Sequence, residues 1–139
     1  MLPNSLTTNE IKNGLGNEVE FQRRSQGDNS EVFSAILETP TLTNRLTIKH
    51  TESGVGVNRR RRSLVRFDQY IAGQIDTTVN ALISAYTVMD LPIGNMSNYS
   101  AANNTLAQLM SFLASLGAST AILYDCTGNG AVCLINGTL

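Results

Sequence analysis

The chain has 139 residues, 42% of them hydrophobic and only 15% charged, with one His, two Cys and no Trp. That length suits one ordinary domain with a buried core, the hydrophobic fraction excludes wholesale disorder, and so few His and Cys leave little for a structural zinc site. The net charge of −1 conceals a sharp segregation: residues 1–44 carry three basic against six acidic side chains, residues 45–66 seven against one, and residues 67–139 none against four. Nearly all the basicity therefore sits in one short stretch, which marks a localised anion-binding surface.

Asn13-Gly14 and Gly16-Asn17 are turn residues, and after them Val19 and Phe21 alternate with Glu18, Glu20 and Gln22. A strand over 18–22 entered from a tight turn is predicted. Residues 24–30 read as a polar turn. Val32-Phe33 and Ala35-Ile36-Leu37 form the next apolar run, which Thr39-Pro40 breaks.

The clearest pair of strands follows. Leu46 and Ile48 point one way, and Arg45, Thr47, Lys49 and Thr51 the other. After a loop holding Gly54 and Gly56, the return strand puts Val65 and Phe67 on one face and Arg60, Arg62, Leu64, Arg66 and Asp68 on the opposite one. One-sided antiparallel sheets have this alternation. Residues 69–79 read as a loop, and 81–93 as a third β-like run carrying Leu82, Ile83, Tyr86, Val88, Met89 and Leu91.

The period then changes. Ser97 or Ser100 can cap a helix, along which Leu106, Leu109, Met110, Leu113 and Leu116 form one apolar stripe that Gly117 ends. The fold class is α+β: an N-terminal hairpin (1–30), an antiparallel sheet (31–95) and a helical C-terminal region (97–139) within a single domain, 1–139. One helix stripe covers only part of an apolar sheet face. An obligate dimer is expected, with Leu106, Leu109, Met110 and Leu113 at its interface. Cys126 and Cys133, either side of a turn, are expected to be two thiols. No run approaches the roughly 20 apolar residues that span a bilayer, so no membrane partner is expected.

Enzyme chemistry finds no support. His50 lies on the apolar phase of its strand and is expected to pack structurally, no nucleophile-elbow motif is present, and the glycine pairs lack phosphate-loop spacing. Asp68, Asp76 and Asp90 read as solvated or hydrogen-bonded surface carboxylates. The informative element is the basic face formed by Arg45, Lys49, Arg60, Arg62 and Arg66. Guanidinium forks suit polyanions, and Tyr86 offers a ring on which an unpaired base can stack. Such a face suggests single-stranded or looped RNA.

These residues resemble a known family, the coat proteins of single-stranded RNA bacteriophages, the leviviruses. Asn44-Arg45-Leu46-Thr47-Ile48-Lys49, a Gly/Ser loop and Asn58-Arg59-Arg60-Arg61-Arg62-Ser63-Leu64-Val65-Arg66-Phe67 resemble its central RNA-facing hairpin. Ala85-Tyr86-Thr87-Val88-Met89-Asp90-Leu91-Pro92-Ile93 resembles its last strand, and residues 100–115 its long helix. The resemblance implies two monomers interlocked into one continuous sheet with helices on the outer side. It implies dimers assembled into a quasi-equivalent (T=3) icosahedral shell, and a second sheet face lining the interior against genomic RNA. It further implies an RNA hairpin bound as translational repressor, a maturation protein as partner, no cofactor, and a place in the virion after assembly in the host bacterial cytoplasm. Carried over by residue, Arg45, Thr47, Lys49, Arg60, Arg62 and Arg66 are RNA contacts, Tyr86 stacks a loop base, and 69–79 is the loop around the symmetry axes. Val88 stands where the family often has an Asn that contacts RNA. The alternative reading is a free dimeric RNA-binding regulator that forms no particle.

Overall fold

The computed structural model describes residues 2–115, 122 and 124–138. They form two compact units: residues up to Thr8 with Glu20–Met96, and Asn9–Val19 with the residues from Ser97 onward.

The first unit is a six-stranded antiparallel sheet whose strands lie side by side in chain order: β1 (Ser5–Leu6), β2 (Phe21–Gln26), β3 (Ser30–Ala35), β4 (Asn44–Ser53), β5 (Arg60–Ile71) and β6 (Ala81–Leu91). Alternation sorts the side chains. Phe21, Phe33, Ala35 and Leu46 are buried on one face together with Leu6 of β1, and the Phe67 ring meets Phe21 edge-on at 6.0 Å. Pairing of Leu46 with Phe67 and Ile48 with Val65 continues this apolar face across the β4–β5 hairpin. Further along it the packing thins: Val65 and Ile83 are exposed. Gly54 closes the hairpin loop in the left-handed region (φ +80), where a Cβ would lie 2.4 Å from the Asn58 carbonyl oxygen.

Three expectations about this unit need correction. The strand predicted over 18–22 begins at Phe21 and runs to Gln26, so 24–26 are strand and the turn shrinks to Gly27–Asn29. Polar side chains do not stop a strand whose backbone groups are satisfied by β3, and a bulge between Arg23 and Ser25 absorbs the irregularity. Residues 69–71, expected as loop, extend β5 because Gln69, Tyr70 and Ile71 pair with Ile83, Leu82 and Ala81. His50 is exposed rather than packed, its Nδ1 2.9 Å from the Ser63 hydroxyl directly across the hairpin.

In the second unit the N-terminal turn closes through a bridge between Lys12 and Glu18, and the Lys12 ammonium lies 5.8 Å from the centre of the Tyr124 ring. Helix α1 spans Ser100–Ala114. Neither Ser97 nor Ser100 caps it: the helix begins after Tyr99 with no side-chain capping hydrogen bond, and the Asn98 side-chain oxygen accepts from the Ser100 amide at 3.1 Å in the turn leading in. Leu116 and Gly117, expected to complete and end the stripe, lie outside the described residues. The tail that sequence left unassigned holds a second helix, α2 (Asn129–Asn136), ended by Gly137 at φ +66. Cys126 and Cys133 are free thiols, as expected. No helix among the described residues is long and apolar enough to cross a membrane.

Candidate nucleic-acid interface

Strand pairing builds the polar face of the sheet row by row. Residues directly opposite one another share a face, so Val32, Thr47, Arg66 and Tyr86 form one line across four strands. Ser34, Arg45, Asp68 and Ser84 form the line on one side, and Ser30, Lys49, Leu64 and Val88 the line on the other. Thr51, Arg62 and Asp90 follow, then Ser53 with Arg60. All seven residues expected to contact RNA, Arg45, Thr47, Lys49, Arg60, Arg62, Arg66 and Tyr86, thus lie on one face. Tyr86 is 68% exposed there, open enough to stack on a planar partner.

The same alternation divides the arginine run. Arg61 faces the opposite side, across from Glu52. Its guanidinium lies 2.7 Å from Glu52 Oε1, and Arg59 donates to the other oxygen of the same carboxylate. These two hydrogen bonds, Arg59's first and then Arg61's, hold the Glu52 pKa below its ordinary value. Two of the four consecutive arginines are therefore spent on the hairpin tip rather than offered to a ligand.

The cations left on the polar face fall into two classes. Arg45, Arg60 and Arg66 each have an internal carboxylate: Glu38 at 3.8 Å, Asp90 at 2.9 Å and Asp68 at 2.8 Å respectively. The side chains of Lys49 and Arg62 have no hydrogen bond or ion pair with any described residue, although Asp90, which pairs with Arg60, stands directly opposite Arg62. They sit diagonally across β4 and β5, because Lys49 faces Leu64 and Arg62 faces Thr51. These two carry the uncompensated charge of the face.

Sequence reasoning missed the carboxylates and the hydroxyl that hold the arginines. Asp68 receives Arg66 Nε at 2.9 Å and also the Ser84 hydroxyl, and Arg66 Nη2 reaches Ser84 Oγ at 3.3 Å. The Ser84 hydrogen bond, with a smaller contribution from Arg66, pulls the Asp68 pKa below its ordinary value against the opposing effect of partial burial. The available signal was spacing: Arg66 and Asp68 stand two apart on one strand, hence on one face, and Asp90 shares the phase of Tyr86. Among the described residues no group of His, Cys, Asp and Glu is arranged to hold a metal ion.

The residues expected at a dimer interface lie together on α1. None of its fifteen residues is buried; Leu106, Leu109 and Met110 are about two-fifths exposed. Met110 and Leu113 line an open apolar groove of about 790 Å³ with Ala107, Ala114, Ile122 and Tyr124.

No protein-family model and no curated protein matches this sequence. Solved structures do. The chain is similar to the coat protein of bacteriophage EMS014, with a TM-score of 0.67 at 13% identity over 87% of both chains. It is also similar to the virus-like particle of bacteriophage GQ-907, with a TM-score of 0.60 at 16% identity over 88% of this chain and 85% of that one. The virus-like particle of Beihai levi-like virus 32 gives 0.56 at 20% identity over 68% and 75%. The chain shares the fold of this coat protein and these virus-like particles.

Proposed function

We propose that the protein is the structural coat protein of a single-stranded RNA phage, which dimerises, assembles into an icosahedral shell and packages genomic RNA against the polar face of its sheet. The observation that carries the reading is the one-sided sheet: cations and an exposed Tyr86 on one face, apolar side chains on the other, and a long unfinished edge. Among the described residues β6 has one neighbour, β5. Over eleven residues its only charged side chain is Asp90, and it contains no Lys or Pro to discourage pairing. Such an edge is a template for a second copy. Antiparallel pairing of β6 with its twin makes one continuous sheet and doubles the basic face. Exposed Leu106, Leu109 and Met110 on α1 offer apolar surface for burial against a second copy; burying each such side chain contributes roughly 1.5–3 kcal/mol before ordering costs.

The unpaired Lys49 and Arg62 suit phosphates, while Tyr86 suits an unstacked base. An RNA hairpin displayed by the genome is therefore also a ligand of this face, which makes translational repression part of the proposal. The virion is its place of residence, and the phage maturation protein a further partner. Expression of the chain alone, followed by sizing and electron microscopy, tests the reading. Particles tens of nanometres across that contain nuclease-protected RNA are expected. A soluble dimer that binds RNA and never forms particles overturns the coat assignment in favour of a free regulator.

A further inference from the structure

The two classes of cation on the polar face imply two kinds of contact. The Lys49 and Arg62 side chains are tied to no partner among the described residues, which leaves their donors open to phosphate. Arg66 is tied. Its Nε donates to Asp68 and its Nη2 to Ser84, and the neighbouring carboxylate offsets its charge. A guanidinium has five N–H donors; with Nε and one Nη2 hydrogen used, both Nη1 hydrogens and the second on Nη2 are still available, now fixed in direction. An orientated, charge-compensated fork loses much of its attraction for a phosphate anion and keeps its geometric match to a pair of neutral acceptors. Directly across the strand from it stands the exposed ring of Tyr86, at the separation of opposed side chains, about 4.5–5.5 Å between Cβ atoms.

We infer that Arg66, held by Asp68 and Ser84, reads the O6 and N7 edge of a guanine stacked on Tyr86, so that this face prefers a guanine at one unpaired position of its RNA. Guanine alone presents two adjacent acceptors on that edge; adenine pairs its N7 acceptor with an amino donor, and the pyrimidines lack N7. In a single strand that edge is accessible. Tyr86 and the cations give affinity without choice of base, whereas the held fork supplies the choice. Asp68 and Ser84 are positioning residues in this arrangement. The inference rests on the RNA-binding reading of the face and adds base identity to it.

Fluorescence anisotropy with the full-length chain and labelled ten-residue oligouridylates, each carrying one central substitution, separates the two. Guanine at the centre is expected to bind about tenfold more tightly than adenine or uracil. Inosine, which keeps O6 and N7, should match guanine, and 7-deazaguanine should fall to the level of adenine. These probes need no protein variant. Arg66→Lys should abolish the guanine preference, because a single ammonium cannot reproduce the two-donor fork. Asp68→Asn should lower the preference and steepen the salt dependence, a combination that mere loss of stability does not produce. Equal affinity for all central bases, with the salt dependence of binding intact, overturns the guanine inference and leaves the RNA-binding face standing. Absence of binding to every oligonucleotide at low salt removes the RNA-binding reading and the inference with it.

Discussion

Replacing Lys49 and Arg62 together by Ala tests the division of cations most directly. Neither side chain has a carboxylate partner among the described residues, so each is free to displace condensed counterions from RNA. For single strands each phosphate neutralised contributes roughly 0.7 to the slope of log affinity against log salt. The double variant should therefore lose about 1.4 from that slope. Across a rise from 50 to 200 mM salt, this makes its affinity fall about sevenfold less than that of the parent. Arg60→Ala with Arg66→Ala removes the same formal charge. Those two side chains already face Asp90 and Asp68, so their loss frees the carboxylates and removes fewer counterion-releasing contacts. The assay is filter binding or anisotropy with one fixed single-stranded RNA over a salt series, after circular dichroism has shown both variants folded. Equal slope losses for the two double variants would refute the reasoning, because internal pairing would then make no difference to phosphate contact.

Phe33 is fully buried in the sheet core, and Phe33→Ala should cost about 3–5 kcal/mol in a urea titration; a loss below about 1 kcal/mol would show that the site collapses around the gap. Gly130 on α2 lies so close to α1 that an added Cβ would stand 2.1 Å from the Phe112 carbonyl oxygen. Gly130→Ala should therefore destabilise the chain by roughly 1–3 kcal/mol, and an unchanged melting temperature would show that the helices separate without penalty. Leu109→Asp with Met110→Asp should leave a monomer by sedimentation if the exposed face of α1 is covered by a second copy, whereas persistent dimers would place the interface elsewhere. Asp68 has a folded pKa below its ordinary value, so its contribution to stability is complete above about pH 4 and is lost as the pH falls through the folded value. The melting-temperature gap between the parent and Asp68→Asn should stay constant from pH 8 to 5 and narrow below pH 4; a gap that widens on acidification would contradict the sign.

The sequence by itself determined which residues share a face. A period of two leaves no freedom once the strands exist: Leu46 and Ile48 had to oppose Arg45, Thr47 and Lys49, and Arg60, Arg62 and Arg66 had to part from Arg61. The α+β order and the long helix were legible for the same reason, since periodicity is a local property. Strand ends were not. β2 continues through polar 24–26 and β5 through 69–71 because a neighbouring strand satisfies their backbone groups, and no local signal encodes that neighbour. The long helix begins after Tyr99 with no Ser side chain capping it, and the tail's second helix escaped notice because eight residues carry too little period to stand out.

The tertiary structure alone decided which cations are free. Charge in the sequence counts Arg45, Arg60, Arg66, Lys49 and Arg62 alike. Tertiary packing pairs Glu38, Asp90 and Asp68 with the first three; Asp90 stands directly across from Arg62 on the neighbouring strand, yet its carboxylate is taken by Arg60. Coulombic attraction and hydrogen bonding depend on separations of a few ångströms between residues up to thirty apart in the chain, such as Arg60 and Asp90. Only pairing of whole strands fixes distances of that kind.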